Sequence, residues 1–251
     1  GKTYIAQALA EHLAGENVRL VQFHPAYSYE DFFEGFRPTA EGGFELKPGP
    51  MRRIVDQAIA NPRQPHVLII DEINRGNLAK IFGELYFLLE YRDRNVELLY
   101  GGDDFSLPAN VFIIGTMNTA DRSIALVDAA MRRRFAFLPL HPAEPPTSGI
   151  LRAWLRKKER PQRTADLLDE LNRQIADPDF KIGPSYFMRE KVFDDGGLER
   201  MWRTSILPLL EEHHFGELDG AEVAARYGPE AIAARLDQVS AGDDDATPGT
   251  D

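Results

Sequence analysis

Two adjacent carboxylates, Asp71 and Glu72, are the residues of this sequence best placed to do chemistry. They follow residues 67–70 directly, a run with apolar side chains on both faces, which predicts a strand buried in a parallel sheet. In open α/β sheets, ligands bind at the carboxyl ends of the strands. One carboxylate there can reach a magnesium ion through water while the next polarises an attacking water, which suits nucleoside-triphosphate hydrolysis. Taken alone, the motif also fits an ordinary strand end with solvated acids.

The first three residues, Gly1, Lys2 and Thr3, match the end of the phosphate-binding loop G-x-x-x-x-G-K-[ST]. In that loop, backbone amides and a helix N-terminus hold the phosphates, the lysine reaches the β and γ oxygens, and the hydroxyl binds magnesium. Three residues are a weak signal, but an amphipathic helix follows them and Asp71 comes 68 residues after Thr3. Since the chain also lacks an initiator methionine, we expect it to be a fragment cut inside this loop.

The composition indicates a globular protein and narrows its function class. Its 251 residues are 43% hydrophobic, which is enough to bury a sizeable core in one large domain or two small ones. The net charge of −11, from 29 basic and 40 acidic residues, argues against a broad nucleic-acid surface. There are no cysteines, so disulfides and thiolate metal sites are excluded. Because we find neither a membrane-spanning run nor a signal peptide, we expect a cytoplasmic protein.

The elements that must position the acid pair alternate between helix and strand over the first 140 residues. The predicted strands are residues 18–23, 67–70, 111–115 and 135–140. The first predicted helix has an apolar face that consists of Ile5, Ala8, Leu9 and Leu13. Two further helices are predicted, one opened by Pro50 and one that is capped by Asn77 and runs to Leu89. This alternation is typical of a parallel sheet covered by helices on both faces.

Two segments interrupt the alternation. Residues 93–108 predict a short hairpin that turns over Gly101 and Gly102. Residues 24–38 are rich in aromatic side chains and bounded by prolines. That stretch is either a packed excursion or a binding surface, and packing is favoured because aromatic clusters more often belong to a core.

A second cluster of polar residues follows the strand at 111–115 and occupies residues 116–123. A helix then leads to three consecutive arginines at residues 132–134. Beyond a proline-rich boundary at residues 141–149, helical periodicity without strong strand patterns predicts a small all-helical domain. Its helices are expected at about residues 150–158, 163–176, 184–190 and 198–213.

Three segments resemble the McrB family, a group of dynein-related AAA+ proteins that act as motor subunits of modification-dependent restriction systems. They are residues 70–77 (Ile-Asp-Glu-Ile-Asn-Arg-Gly-Asn), 115–123 (Gly-Thr-Met-Asn-Thr-Ala-Asp-Arg-Ser) and 128–135 (Asp-Ala-Ala-Met-Arg-Arg-Arg-Phe). The resemblance extends over residues 1 to about 216. Its specific part is Met-Asn-Thr-Ala-Asp-Arg-Ser, because generic ATPase motifs do not include that stretch.

The resemblance implies an α/β fold of the P-loop NTPase class. A three-layer αβα AAA+ core with a parallel sheet is expected in residues 1–141, a helical lid in 142–216, and a helical or disordered tail in 217–251. The family plan places one more strand before Gly1, in the middle of the sheet. We therefore expect the isolated chain to bind nucleotide poorly or to fold badly until upstream residues are restored.

The resemblance also assigns roles to the residues of the first two motifs. Lys2 and Thr3 match the phosphate-binding lysine and the magnesium-binding hydroxyl, with Gly1 beside them in the loop. Asp71 matches the magnesium-side acid of the Walker B motif. Glu72 matches the residue that orients or deprotonates the attacking water.

The polar cluster after the strand at 111–115 matches the family's sensor. Asn118 occupies the position that contacts the γ-phosphate or the attacking water, and Thr119, Asp121 and Arg122 surround it as further nucleotide-site residues. From the residues alone, Asn118 also fits a simple cap of the turn after its strand.

Arg133 and Arg134 match the position of arginine fingers, which one subunit inserts into the site of its neighbour. Neutralising transition-state charge in this way can increase the rate by about 10³ to 10⁵ in related enzymes. From the residues alone, an arginine run at a helix end also fits a favourable interaction with the helix dipole.

The function implied by the resemblance is magnesium-dependent binding and hydrolysis of ATP or GTP by a hexameric ring motor. The implied partners are further copies of the chain, an McrC-like nuclease subunit, and DNA reached through an upstream domain or a partner. McrB itself implies GTP, although no residue here distinguishes guanine from adenine. The alternatives are a MoxR-like ATPase that remodels proteins and a non-hydrolysing scaffold that uses nucleotide only to assemble, which the intact Glu72 disfavours.

Overall fold

The structure of the protein is a computed structural model, and it describes residues 1–100, 102, 104–118 and 129–244. The chain divides into two compact units, residues 2–138 and residues 139–251, with Gly1 counted in the second. Each unit has its own hydrophobic core. None of the helices in the described ranges is long and apolar enough to cross a membrane.

The first unit combines a parallel sheet with two antiparallel hairpins and short helices. Its strands are β1 (Val18–Gln22), β2 (Glu34–Pro38), β3 (Phe44–Pro48), β4 (His66–Asp71), β5 (Val96–Glu97), β6 (Asp104–Phe105) and β7 (Val111–Gly115). Its helices are α1 (Lys2–Ala14), α2 (Tyr29–Phe32), α3 (Pro50–Ala60), α4 (Leu78–Phe82), α5 (Leu85–Leu88) and α6 (Ala129–Arg132). The parallel sheet has the order β1-β4-β7, and the hairpins are β2–β3 and β5–β6. The predicted α/β class is thereby confirmed.

Strand β4 is the centre of the sheet, and its side chains are buried on both faces. Leu68 and Ile70 belong to the larger core, which includes the buried face of α3, whereas Val67 and Ile69 pack against α1. All four side chains are 0% exposed. Because helices cover both faces, chemistry is possible only at the ends of the strands. The residues that follow β4 and β7 emerge at the same edge, since the two strands are parallel.

Helix α1 is buried through a different face from the one that the sequence predicted. Ala6, Ala10 and Ala14 contact the sheet, while Leu9 and Leu13 remain 45% and 50% exposed. The three alanines recur every four residues and therefore form one stripe along the helix. Their small side chains let the helix lie close to the sheet, so the prediction failed because it ranked side chains by hydrophobicity alone.

The single helix predicted after Asn77 is interrupted and forms α4 and α5. Asn77 caps α4 as predicted, because its Oδ1 accepts a hydrogen bond of 3.1 Å from the backbone N–H of Lys80. The interruption lies at Gly83, whose φ of 53° is in the left-handed region. Glycine adopts that conformation without the steric cost of a Cβ. The apolar side chains of both helices still reach the core, namely Leu78, Ile81, Phe82, Leu85 and Leu88.

The strand predicted at residues 135–140 is wrong, because these residues form no strand. Leu138 is 83% exposed and Phe137 is 44% exposed, while Phe135 packs partly against the larger core. Within the part of the chain that the structure describes, no neighbouring strand supplies hydrogen bonds to this segment. An apolar segment without a partner strand cannot satisfy its backbone groups as a sheet strand does.

The second unit consists of helices joined by turns and irregular segments, and its described residues form no strand. Its helices are α7 (Ile150–Lys157), α8 (Arg163–Gln174), α9 (Gly197–Met201), α10 (Leu207–His213), α11 (Gly220–Tyr227) and α12 (Pro229–Asp244). A π-helical turn at Trp202–Ile206 joins α9 to α10, so they form the long helix that was predicted at 198–213. The helix predicted at 184–190 is wrong, since that region forms two short 3₁₀ turns. Trp202 is fully buried in the core and donates its Nε1–H to the backbone oxygen of Tyr227 over 2.8 Å.

Candidate active site

Asp71 lies at the carboxyl end of β4, where two threonine hydroxyls converge on one of its carboxylate oxygens. Thr3 Oγ1 donates a hydrogen bond of 2.7 Å to Asp71 Oδ1, and Thr116 Oγ1 donates one of 2.5 Å to the same oxygen. Hydrogen bonds to an ionised acceptor are shorter and stronger than those between neutral groups. The fold therefore brings Thr3 and Asp71 into contact, although they are 68 residues apart in the sequence.

Thr116 belongs to the polar cluster at residues 116–123, but the sequence assigned it no role in the site. It is 7% exposed and directly follows β7. The parallel register pairs Ile70 with Gly115, so the next residue on each strand, Asp71 and Thr116, lies at the same level of the sheet edge. The backbone N–H of Thr116 also donates to the Ile70 oxygen over 2.9 Å. Its position as the first polar residue after the neighbouring strand was the available signal.

Glu72 adopts an unusual backbone conformation for a residue with a side chain. Its φ of 53° and ψ of 46° lie in the left-handed region, which costs a residue with a Cβ about 1 to 2 kcal/mol. Strain of this kind concentrates at functional sites. The turn directs the Glu72 carboxylate toward Arg75, whose Nε stands 3.0 Å from Glu72 Oε2. The two side chains help to form a cavity of about 450 Å³, lined by Gln22, Phe23, His24, Pro25, Glu72 and Arg75.

Asn118 follows the same strand end as Thr116 and is connected to the acid motif through Asn74. The side-chain amide of Asn74 donates to the backbone oxygen of Asn118 over 3.3 Å. This contact ties the turn after β4 to the turn after β7. The neighbouring candidates Thr119, Asp121 and Arg122 lie outside the described residues.

The two candidate arginines lie at the end of α6 and have different surroundings. Arg133 is exposed. The Arg134 side chain is only 14% exposed, and its Nη2 stands 2.7 Å from Glu90 Oε2. Its guanidinium carbon also lies 4.4 Å from the centre of the Tyr86 ring. The structure therefore separates two residues that the sequence treated as equivalent.

The residues at the start of the chain offer a magnesium ion suitable oxygen donors. Thr3 supplies a hydroxyl and Asp71 a carboxylate, the hard ligands that Mg²⁺ takes alongside water and substrate phosphates. Lys2, which follows Gly1 and begins α1, is exposed. Among the described residues, no group of three or more His, Cys, Asp or Glu side chains could hold a metal.

Two family models match the sequence in regions that correspond to the two units of the structure. The AAA domain of the dynein-related subfamily matches residues 1–135. The α-helical lid domain of McrB matches residues 163–222.

Two curated proteins are similar to the chain in sequence. The EcoKMcrB subunit of the type IV methyl-directed restriction enzyme of Escherichia coli (strain K12) is 42% identical over 241 residues, covering 86% of this chain and 52% of that protein. YdiS of Bacillus subtilis (strain 168), a component of the type II restriction enzyme BsuMI, is 33% identical over 127 residues, covering 44% and 36% of the two chains. The chain thus spans about half the length of the first relative, and its match covers 36% of the second. A solved structure from Cytophaga hutchinsonii aligns with 95% of this chain and 72% of that protein. The TM-score is 0.37 and the sequence identity is 14%, which is too low a similarity to assign a role.

Proposed function

The chain belongs to the dynein-related subfamily of AAA domains and carries an McrB-type helical lid, and on that premise we propose that it binds and hydrolyses GTP or ATP with magnesium. The bond broken is the β–γ phosphoanhydride, and water is the nucleophile. Hydrolysis drives a ring of identical subunits that activates a DNA-cleaving partner.

The observation that supports this proposal best is the cluster at the ends of β4 and β7. Thr3, in the first turn of α1, and Thr116, directly after β7, both donate hydrogen bonds of 2.7 Å or less to Asp71 Oδ1 at the end of the buried strand β4. Thr3 and Asp71 would hold the metal, which supplies charge neutralisation to the phosphates when it is bound. Gly1 and Lys2 would contact the phosphates from the helix N-terminus.

Glu72 is the residue proposed to accept a proton from the attacking water. Its carboxylate is anchored by Arg75 at 3.0 Å and is attached to a backbone fixed by hydrogen bonds, since Ile73 N–H donates to Thr116 oxygen over 2.9 Å. Asn118 is proposed to orient that water or contact the γ-phosphate, with Thr119, Asp121 and Arg122 supporting the site. A base held rigidly by its neighbours loses little entropy in reaching the reactive geometry.

The arginines at the end of α6 are proposed to act in the site of a neighbouring copy, which requires a ring, taken here as a hexamer. The E. coli relative is by name a subunit of a methyl-directed restriction enzyme. We extend that role to this chain as the motor of a restriction system. Its partner is then an McrC-like nuclease, and DNA is recognised by another domain or subunit.

The test is steady-state hydrolysis of GTP and ATP side by side, on the chain as it stands and on the chain preceded by residues that complete G-x-x-x-x-G-K-T. Glu72→Gln is the blank, and Glu41→Gln, an exposed acid in the β2–β3 turn, is the matched control. We expect Glu72→Gln to abolish turnover while nucleotide-driven assembly persists, and Glu41→Gln to behave as the wild type. Equal turnover by Glu72→Gln and the wild type would refute the proposed base. A GTP preference would support the McrB-type motor, and an ATP preference would favour a remodelling role.

A further inference from the structure

The turn that ends α6 is fixed by the residues on either side of Arg133: Met131, Arg134 and Phe135. Met131 is 1% exposed, and Phe135 packs partly against the same core. The backbone N–H of Arg134 donates to the Met131 oxygen over 3.0 Å, which closes the turn. Arg132 lies on the outside, with its guanidinium 5.7 Å from the Phe137 ring centre. Arg133 is therefore displayed by a turn whose neighbours on both sides are fixed.

Arg134 is one of these fixed neighbours because its charge is already engaged within the subunit. Its side chain is 14% exposed, whereas the side chain of Glu90 is 43% exposed and pairs with it at 2.7 Å. The guanidinium also lies over the face of Tyr86, with its central carbon 4.4 Å from the ring centre. A largely desolvated cation that left this clamp would also leave Glu90 and the ring without their contact. Arg133, which is exposed, can reach out without breaking any such contact.

We propose that Arg134 is a positioning residue and that, clamped by Glu90 and Tyr86, it fixes the turn from which Arg133 reaches the nucleotide of a neighbouring copy. This inference rests on the proposed function, because it assigns different tasks to two arginines of that site. Arg133 contacts the transferred phosphate. Arg134 acts only through the geometry of Arg133.

The two tasks predict losses of different size. Removing a group that neutralises transition-state charge lowers kcat by about 10³-fold or more. We therefore expect Arg133→Ala to lower kcat by that amount. Loosening its support misplaces the guanidinium without removing it, and small misplacements cost up to about 10²-fold. Glu90→Gln and Tyr86→Leu are therefore expected to lower kcat about 10- to 100-fold, with KM for the nucleotide changed less than about twofold.

The experiment measures kcat and KM of the assembled protein, per nucleotide bound. The variants are Arg133→Ala, Arg134→Ala, Glu90→Gln, Tyr86→Leu and the charge exchange Arg134→Glu with Glu90→Arg. Counting bound nucleotide removes any contribution from misfolded protein. Glu199→Gln, which breaks a surface ion pair of 2.8 Å with Arg203 in the second unit, is the matched control and should leave kcat unchanged. The exchange should recover part of the activity that Glu90→Gln loses, because it restores an ion pair between the same two positions but not the contact of a cation with the Tyr86 ring.

Each outcome separates the inference from the function on which it depends. If Arg134→Ala loses as much as Arg133→Ala while Glu90→Gln matches the wild type, Arg134 is itself the finger and the inference is wrong. A wild-type kcat for Glu90→Gln is also sufficient to overturn it. If Arg133→Ala and Glu72→Gln both turn over at the wild-type rate, the proposed hydrolytic site fails instead.

Discussion

Thr116→Val removes one hydroxyl from the centre of the candidate site and leaves the shape of the side chain almost unchanged. Two hydrogen bonds are lost: the one of 2.5 Å that the hydroxyl donates to Asp71 Oδ1, and a longer one of 3.4 Å that it accepts from the backbone N–H of Glu72. Hydrogen bonds to charged groups contribute about 1.5 to 3 kcal/mol. Because Thr3 continues to donate to the same oxygen, we take the lower part of that range, about 2 kcal/mol. At 7% exposure of Thr116, water cannot readily replace the missing donor.

The same loss should appear in two measurements. The free energy of unfolding, from urea titration, should fall by about 2 kcal/mol. Mutation of a residue that supports a metal ligand typically lowers metal affinity by about 10- to 100-fold. The magnesium concentration that half-saturates hydrolysis should therefore rise by about 10- to 30-fold, because Asp71 is then less firmly oriented.

Two controls make the result specific to the hydroxyl at this position. Thr116→Ser keeps the hydroxyl donor, so the magnesium concentration that half-saturates hydrolysis should stay within about threefold of the wild-type value. Thr204→Val removes a hydroxyl that donates to the Arg200 backbone oxygen over 2.8 Å in the second unit, and it should leave magnesium dependence unchanged. If Thr116→Val shows the wild-type magnesium dependence, the reasoning that links Thr116 to the metal through Asp71 is refuted.

Three further predictions follow from the backbone and the core. Glu72→Gly should abolish turnover, yet it should raise the free energy of unfolding by about 1 kcal/mol, because glycine relieves the left-handed strain. A lower midpoint of urea unfolding would contradict this prediction. Gly115→Ala should lower the free energy of unfolding by about 1 to 3 kcal/mol. The new Cβ would stand 2.9 Å from Ile73 Cδ1 and 3.2 Å from Ile73 Cγ2, and Ile73 is buried. An unchanged urea midpoint would refute the packing argument. Tyr29→Phe should lose about 1 to 2 kcal/mol with the 2.6 Å hydrogen bond to Glu84. Burial, followed by Glu84, raises the pKa of Tyr29 above its ordinary 10.0, so this wild-type stabilisation is complete below pH 10 and is lost as the pH rises through the raised pKa. Urea titrations should therefore show the full difference between the two proteins at neutral pH and a smaller difference as the pH rises above 10.

The sequence determined those parts of the fold in which local chemistry has one outcome. The run at 67–70 is apolar on both faces and could be satisfied only between two layers, and β4 is indeed the buried centre of the sheet. The Asn77 cap and the hairpin within 93–108 also formed as predicted, because short-range hydrogen bonds and turn residues specify them. The family was predicted from the stretch around Asn118, and the matching AAA and McrB lid models confirm that family.

Tertiary structure alone decided which competing local preference prevailed. The buried face of α1 consists of alanines and not of Leu9 and Leu13. Small side chains let the helix pack closer to the sheet than leucines would. Residues 135–140 have strand-like composition but no partner within the described residues, and a strand exists only through its neighbours. In the candidate site, residue types pointed to Asp71 and Glu72. The register of β4 against β7 added Thr116, and packing against Tyr86 and Glu90 distinguished Arg134 from Arg133. Such distinctions depend on residues that are distant in sequence and adjacent in space, which a sequence pattern read one segment at a time does not contain.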